Sequence, residues 1–137
     1  MRYLALLALW AIPAGAAAPS SQLPLQALTE ADVGADALET AACYAHDGPA
    51  VLLVATKRNA VVNSEGDLRM LRRAGNGSPP HQGAKYVGNR FQIVISPIEG
   101  EAVDANGRTD RPARISVVDK GIEGSINARW SCSPSRA

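Results

Sequence analysis

Hydrophobic residues in this chain come in short bursts separated by polar breaks. Between Val51 and Arg73 the bursts are Val51–Ala55, Ala60–Val62 and Leu68–Leu71, parted by Thr56–Asn59 and Asn63–Asp67. An amphipathic helix would place apolar residues every three to four positions across those breaks, and Glu65-Gly66-Asp67 opposes one. Bursts of this length, bounded by Asn, Gly and Asp, predict a meander of antiparallel strands.

The same pattern runs through the rest of the chain. Ala42–His46 predicts a first strand, and Asp47-Gly48-Pro49 has the composition of a turn. Ala50–Thr56 is apolar without alternation, which predicts cover on both faces. Asn59–Val62, Asp67–Arg72 and Ala84–Val87 follow as short strands. Phe91–Ser96 alternates, with Phe91, Ile93 and Ile95 on one face. Glu101–Asp104 is weaker, Arg108–Pro112 reads as a polar connector, and Arg114–Val118 alternates again. Lys120-Gly121 turns into Ile122–Ser131, the clearest period-two stretch. There Ile122, Gly124, Ile126, Ala128 and Trp130 share a face that Cys132 continues inward. Thr29 is placed to cap a short helix with Glu30 and Asp32 in its first turn, and Gly34 limits it. Ala37–Ala42 is ambiguous between a second helical turn and entry into a strand. Many short strands at close spacing predict an all-β fold: a small antiparallel β-barrel or barrel-like sandwich of about eight strands, with a short N-terminal helical segment.

The first residues change the picture of where this domain works. Arg2, the uncharged apolar run Leu4–Ile12, Pro13, Gly15 and the small residues Ala16-Ala17-Ala18 have the layout of a secretory signal. The run is too short to span a membrane, which takes about 20 residues. The expected organisation is a signal peptide at 1–18, an extended or helical leader at 19–40, a β-domain at 41–132 and a tail at 133–137. The expected location is periplasmic or secreted, with no stable membrane insertion after cleavage. Cleavage would leave roughly 119 residues, one domain by size.

Composition then narrows the chemistry. Arg2 leaves with the signal, so 14 basic residues fall level with 13 acidic ones. Overall neutrality predicts no general attraction to nucleic acid or to an anionic membrane. Only Tyr44, Tyr86, Phe91 and Trp130 remain as aromatics, too few for a base-stacking platform. The core must be aliphatic. Cys43 and Cys132 are the only cysteines, and an exported chain meets oxidising conditions, so a disulfide between the first and last strands is expected.

No nucleophile elbow, phosphate loop, dinucleotide fingerprint or H-E-x-x-H helix is present. His46 and His81 are the only histidines, so no metal site and no cofactor are expected. The acids scatter among turns. Arg69, Arg72 and Arg73 read as water-facing charges guarding an edge strand. The longest irregular stretch, Ala74–Gly83, holds two prolines and three glycines and is the expected binding loop. Its candidate contacts, with the strand that follows, are His81, Gln82, Lys85 and Tyr86. The expectation is a non-enzymatic binding module; the alternatives are a structural or accessory envelope protein and a hydrolase using scattered acids.

Several stretches together carry a family resemblance. They are Cys43-Tyr44-Ala45-His46-Asp47-Gly48 with the strand after it, Ala60-Val61-Val62 ahead of Gly66 and Leu68, Gly83-Ala84-Lys85-Tyr86, and the closing Cys132. In this order the chain resembles the C-type lysozyme inhibitors of bacterial envelopes. The resemblance implies an exported eight-stranded barrel with a disulfide between early and late strands, and a lysozyme-like protein as partner. Two departures stand out. The family has serine before the glycine of its S-G-x-x-Y loop, where this chain has Gln82. Its W-x-K-G turn corresponds to Val94–Gly100, which contains no lysine.

Overall fold

The computed structural model describes residues 25–75, 80–105 and 107–134. The expected signal at 1–18, the start of the leader and the end of the tail lie outside the described residues. Among these residues nine strands form: β1 (Cys43–Asp47), β2 (Ala50–Ala55), β3 (Asn59–Ser64), β4 (Asp67–Arg73), β5 (Ala84–Gly88), β6 (Phe91–Pro97), β7 (Val103–Ala105), β8 (Arg108–Asp119) and β9 (Ile122–Cys132). All pairings are antiparallel, in the order β6-β5-β4-β3-β2-β1-β9-β8-β7, and β6 also pairs β8. Eight strands therefore close into an up-and-down barrel. The short β7 is an excursion from the β6–β8 connection that pairs along the start of β8.

Closure gives the barrel two unlike ends. At one end four two-residue turns, Gly48-Pro49, Glu65-Gly66, Asn89-Arg90 and Lys120-Gly121, join neighbouring strands. Lys120 and Gly121 have φ of 54° and 86°, the left-handed pair whose twist matches the flanking strands. At the other end the connections are longer, and the first and last strands meet there. Cys43 lies directly opposite Cys132 across the β1–β9 seam, with their Cα atoms 4.0 Å apart, and the two are joined by the expected disulfide.

Inside, alternation delivers one aliphatic core. Leu53, Val62, Leu71, Ile93, Ile95, Ile115 and Val117 are fully buried, with Trp130 and Tyr86 as the large members. β2 lacks alternation because it carries a bulge: Ala45 faces Leu53 but His46 faces Val51. The extra residue lets both Leu52 and Leu53 turn inward. Its outer side is covered as well. β2 and β3 pair only at Val54–Val61 and Ala55–Ala60, then splay. Residues 25–28 fill the gap. The N–H of Gln26 donates to Asn63 O and that of Leu28 to Val51 O, each at 2.8 Å. Leu25 packs on the barrel core, while Leu28 joins Ala37, Ala41 and Val54 in a second cluster outside the wall.

Two short helices follow this plug, α1 (Glu30–Val33) and α2 (Ala37–Thr40). Thr29 caps α1 with Asp32 in a reciprocal box. The ambiguity at 37–42 resolves as a helical turn that buries Ala37.

Two expectations are corrected. Arg108–Pro112 is not a connector but the first half of the twelve-residue β8. Proline is tolerated there because the Pro112 carbonyl accepts from Ile98 N–H, on the side away from β9. The missing N–H falls on that same side, where β7 ends and β6 begins, so no bond to β9 is lost. β4 is also not an edge strand, since it pairs β3 and, at Arg72 and Arg73, β5. Of its arginines only Arg72 is exposed. Arg69 and Arg73 share the inward row of Leu71, and the Arg69 guanidinium sits 5.2 Å over the Phe91 ring at the turn end.

Candidate functional site

Three connections converge at the disulfide end. They are residues 56–58 between β2 and β3, residues 80–83 leading into β5, and the chain leaving β9 at Ser133. Together they line a cavity of about 530 Å³ whose wall includes Cys43, Cys132, Thr56, Lys57, Pro80 and His81. That volume lies within the ordinary range for ligand sites. Lys57 and His81 are its ionisable side chains, and no carboxylate is among the described lining residues.

Residues 80–83 are pinned in place. Pro80–Gln82 forms a single 3-10 turn. The indole N–H of Trp130, itself fully buried, donates to the Pro80 carbonyl at 2.8 Å, and Gly83 N–H donates to the same oxygen at 3.0 Å. Gly83 has φ +116°, and a Cβ there would stand 2.9 Å from the Ile95 carbonyl oxygen. Only glycine permits the loop to approach β6 this closely before entering β5. On the opposite side, Thr56 folds its own turn: its hydroxyl accepts from Asn59 N–H at 3.1 Å, which sets Lys57 at the tip.

The seam beneath the cavity is locked by Arg108. Its guanidinium donates to the carbonyls of Ala41 (3.1 Å), Ala42 (3.3 Å) and Ser131 (3.1 Å), and to the Ser131 hydroxyl (3.2 Å). It also stacks 4.9 Å over Tyr44. Burial lowers its pKa from the usual arginine value, with the nearby Tyr44 acting the other way. Further along the outer wall, Asp110 meets His46 Nε2 and Arg129 Nε, both at 2.6 Å. Burial alone would raise the Asp110 carboxyl. The hydrogen bonds and charges of Arg129 and His46 outweigh it and hold the group below its ordinary value.

The four predicted contact residues do not form one cluster. His81 is half-buried in the cavity wall and Gln82 is exposed beside it on the loop. Lys85 and Tyr86 are neighbours on a strand and so face opposite ways. Lys85 lies on the outer wall, whereas Tyr86 is 0% exposed inside the barrel. Its hydroxyl has no hydrogen-bond partner among the described residues. Burial pushes its pKa up to about 12, against a smaller pull from Arg73. The sequence pattern had not singled out Thr56, Lys57 or Arg108. The signal available for Lys57 was the count of strands, since an up-and-down meander puts every second connection at the same end.

Among the described residues no three His, Cys, Asp or Glu side chains converge as a metal-ion site. No family model, no curated protein and no solved structure matches this chain.

Proposed function

We propose that this chain is an exported, non-enzymatic binding module that holds a protein partner at the disulfide end of its barrel, in the manner of a lysozyme inhibitor. The observation that carries this is the rigid mounting of Pro80-His81-Gln82. A turn hung from a buried Trp130 by a 2.8 Å hydrogen bond presents His81 across an open cavity from Lys57. Binding loops held by a stiff scaffold lose less conformational freedom on docking. Two basic side chains with no carboxylate among the described lining residues suit an acidic surface. A glycoside-hydrolase cleft, which works with a pair of carboxylates, offers one.

The disulfide supports an oxidising destination. The missing serine before Gly83 and the missing lysine in Val94–Gly100 mean that Lys57 and His81, rather than the family's own loop residues, would make the contact. The test is inhibition of a C-type lysozyme by the purified oxidised protein. Inhibition at roughly micromolar protein, equivalent to about 8 kcal/mol of binding, is expected. Undiminished lysozyme activity at a hundredfold excess would remove this partner.

A further inference from the structure

The chain is nearly neutral, with a formal net charge of +1, yet its charges are segregated. On the outer wall formed by β4, β5, β6 and the stretch of β8 after Ala113, the outward positions carry Arg72, Lys85 and Arg114 and no acid; Asp110, outward nearer the start of β8, is held by His46 and Arg129. The register lays these three diagonally across the wall. Arg72 faces Val87, two residues along β5 from Lys85; Lys85 faces Val94; and Ser96, two further along β6, faces Arg114. Four strands at ordinary spacing make this band about 15 Å wide.

Towards the turn end the same wall is grooved. A cavity of about 540 Å³ is lined by the outward residues Val87, Gln92 and Val118 and flanked by Arg90 and Lys120. Lys120 N–H donates to the Arg90 carbonyl at 2.9 Å, which fixes the two turns side by side. Among the described residues none of these five cations makes an ion pair; Arg114 donates only to the Ser125 hydroxyl. The acids bordering the wall are Glu123 on β9, opposite Val118, Asp110 on β8 and Asp67 at the start of β4. Bordering the cations on β4 are two exposed apolar side chains, Leu68 at 49% and Met70 at 67%.

We infer that this wall docks on an anionic lipid surface. Exposed apolar side chains beside unpaired cations suit a surface that carries charge above an acyl layer, which an acidic polypeptide does not offer. The cations meet the headgroup charges and the groove between Arg90 and Lys120 takes an individual headgroup. Leu68 and Met70 reach the boundary of the acyl chains, as apolar side chains beside Lys and Arg do at interfaces. Arg72, which pairs Asn59, and Lys85, four residues after His81, stand at the cavity end of this wall, and Arg90 and Lys120 at its turn end.

The test is co-sedimentation of the purified oxidised protein, its N-terminus fixed by mass spectrometry, with phosphatidylglycerol and with phosphatidylcholine vesicles. Partition onto the anionic vesicles alone, weakening as salt rises, is expected. Replacing Arg72, Lys85 and Arg114 together by Gln should lower that partition about a hundredfold, since each cation near such a surface contributes about fivefold. Arg90→Gln with Lys120→Gln should lower it about 25-fold by the same count. The side chains are exposed and every variant keeps the same N-terminus, so differences among them read the wall. The salt series on the unaltered protein gives an answer independent of how the variants fold. Equal partition onto both vesicle types, partition onto neither, or indifference to salt would overturn the inference. Displacement from vesicles by polyglutamate at matched charge concentration would also overturn it, making the partner an acidic polypeptide.

Discussion

Replacing Cys43 and Cys132 together by Ala tests what closes the barrel. The cysteines are 89 residues apart in sequence, so the bridge cross-links most of the domain in the unfolded chain. Loop-closure entropy for a loop of that length is worth about 4–5 kcal/mol at 25 °C. A domain of this size has a total stability of about 5–15 kcal/mol. The staple thus accounts for a third or more of the margin. The β1–β9 ladder of four facing pairs and the Arg108 bonds remain in the variant, so the folded barrel should survive with its seam intact. Urea unfolding followed by Trp130 fluorescence measures the change. The midpoint should fall and the denaturant slope should rise, because the unfolded chain without its cross-link exposes more surface. A loss under about 1 kcal/mol with an unchanged slope would refute the reasoning, leaving the ladder and Arg108 as the closure.

Three further outcomes follow from the geometry. Trp130→Phe removes the donor to Pro80 and a little core volume; it should cost about 1–3 kcal/mol and speed amide exchange at Gln82 and Gly83 while β1 and β9 stay protected. Arg108→Met strips three carbonyls and a hydroxyl of their shared donor and removes the stack on Tyr44. It should cost about 2–4 kcal/mol in the same urea assay, with Arg108→Lys restoring only part. The raised Tyr86 pKa makes its stabilising contribution whole below pH 10 and lost as pH climbs towards 12. Unfolding stability should therefore drop by up to about 2–3 kcal/mol across that window, and Tyr86→Phe should flatten the drop.

Much of the wall was legible because alternation is a local signal. Phe91–Ser96 and Ile122–Ser131 show the inward row directly, and Cys132 continues it to the seam. Thr29 with Asp32 announced α1 through side-chain chemistry at fixed spacing. Elsewhere the deciding partner was remote. Arg108–Pro112 looked like a connector because it is polar, and only the β6–β7 junction shows that its proline loses no ladder bond to β9. Arg69 and Arg73 looked solvated because charge usually is. Near the barrel's ends an inward arginine can still reach an aromatic face or the rim. Residues 25–28 carry no period, yet they complete the wall because β2 and β3 splay, a three-dimensional fact. For the site, composition pointed to the 74–83 loop, but Lys57 joins it only because β3 and β4 pair between the two connections. The choice of Lys85 and Tyr86 as joint contacts ignored the rule that neighbours on a strand face opposite ways.

The measurement that bears most directly on the binding proposal is amide chemical-shift mapping of the isotope-labelled, oxidised protein titrated with a C-type lysozyme. Shifts should concentrate at Thr56, Lys57, His81, Gln82 and Ser133, and Lys57→Glu with His81→Ala should weaken binding at least about tenfold, or 1.4 kcal/mol. Shifts centred instead on the Glu65-Gly66 and Lys120-Gly121 turns, or none at saturating lysozyme, would contradict it.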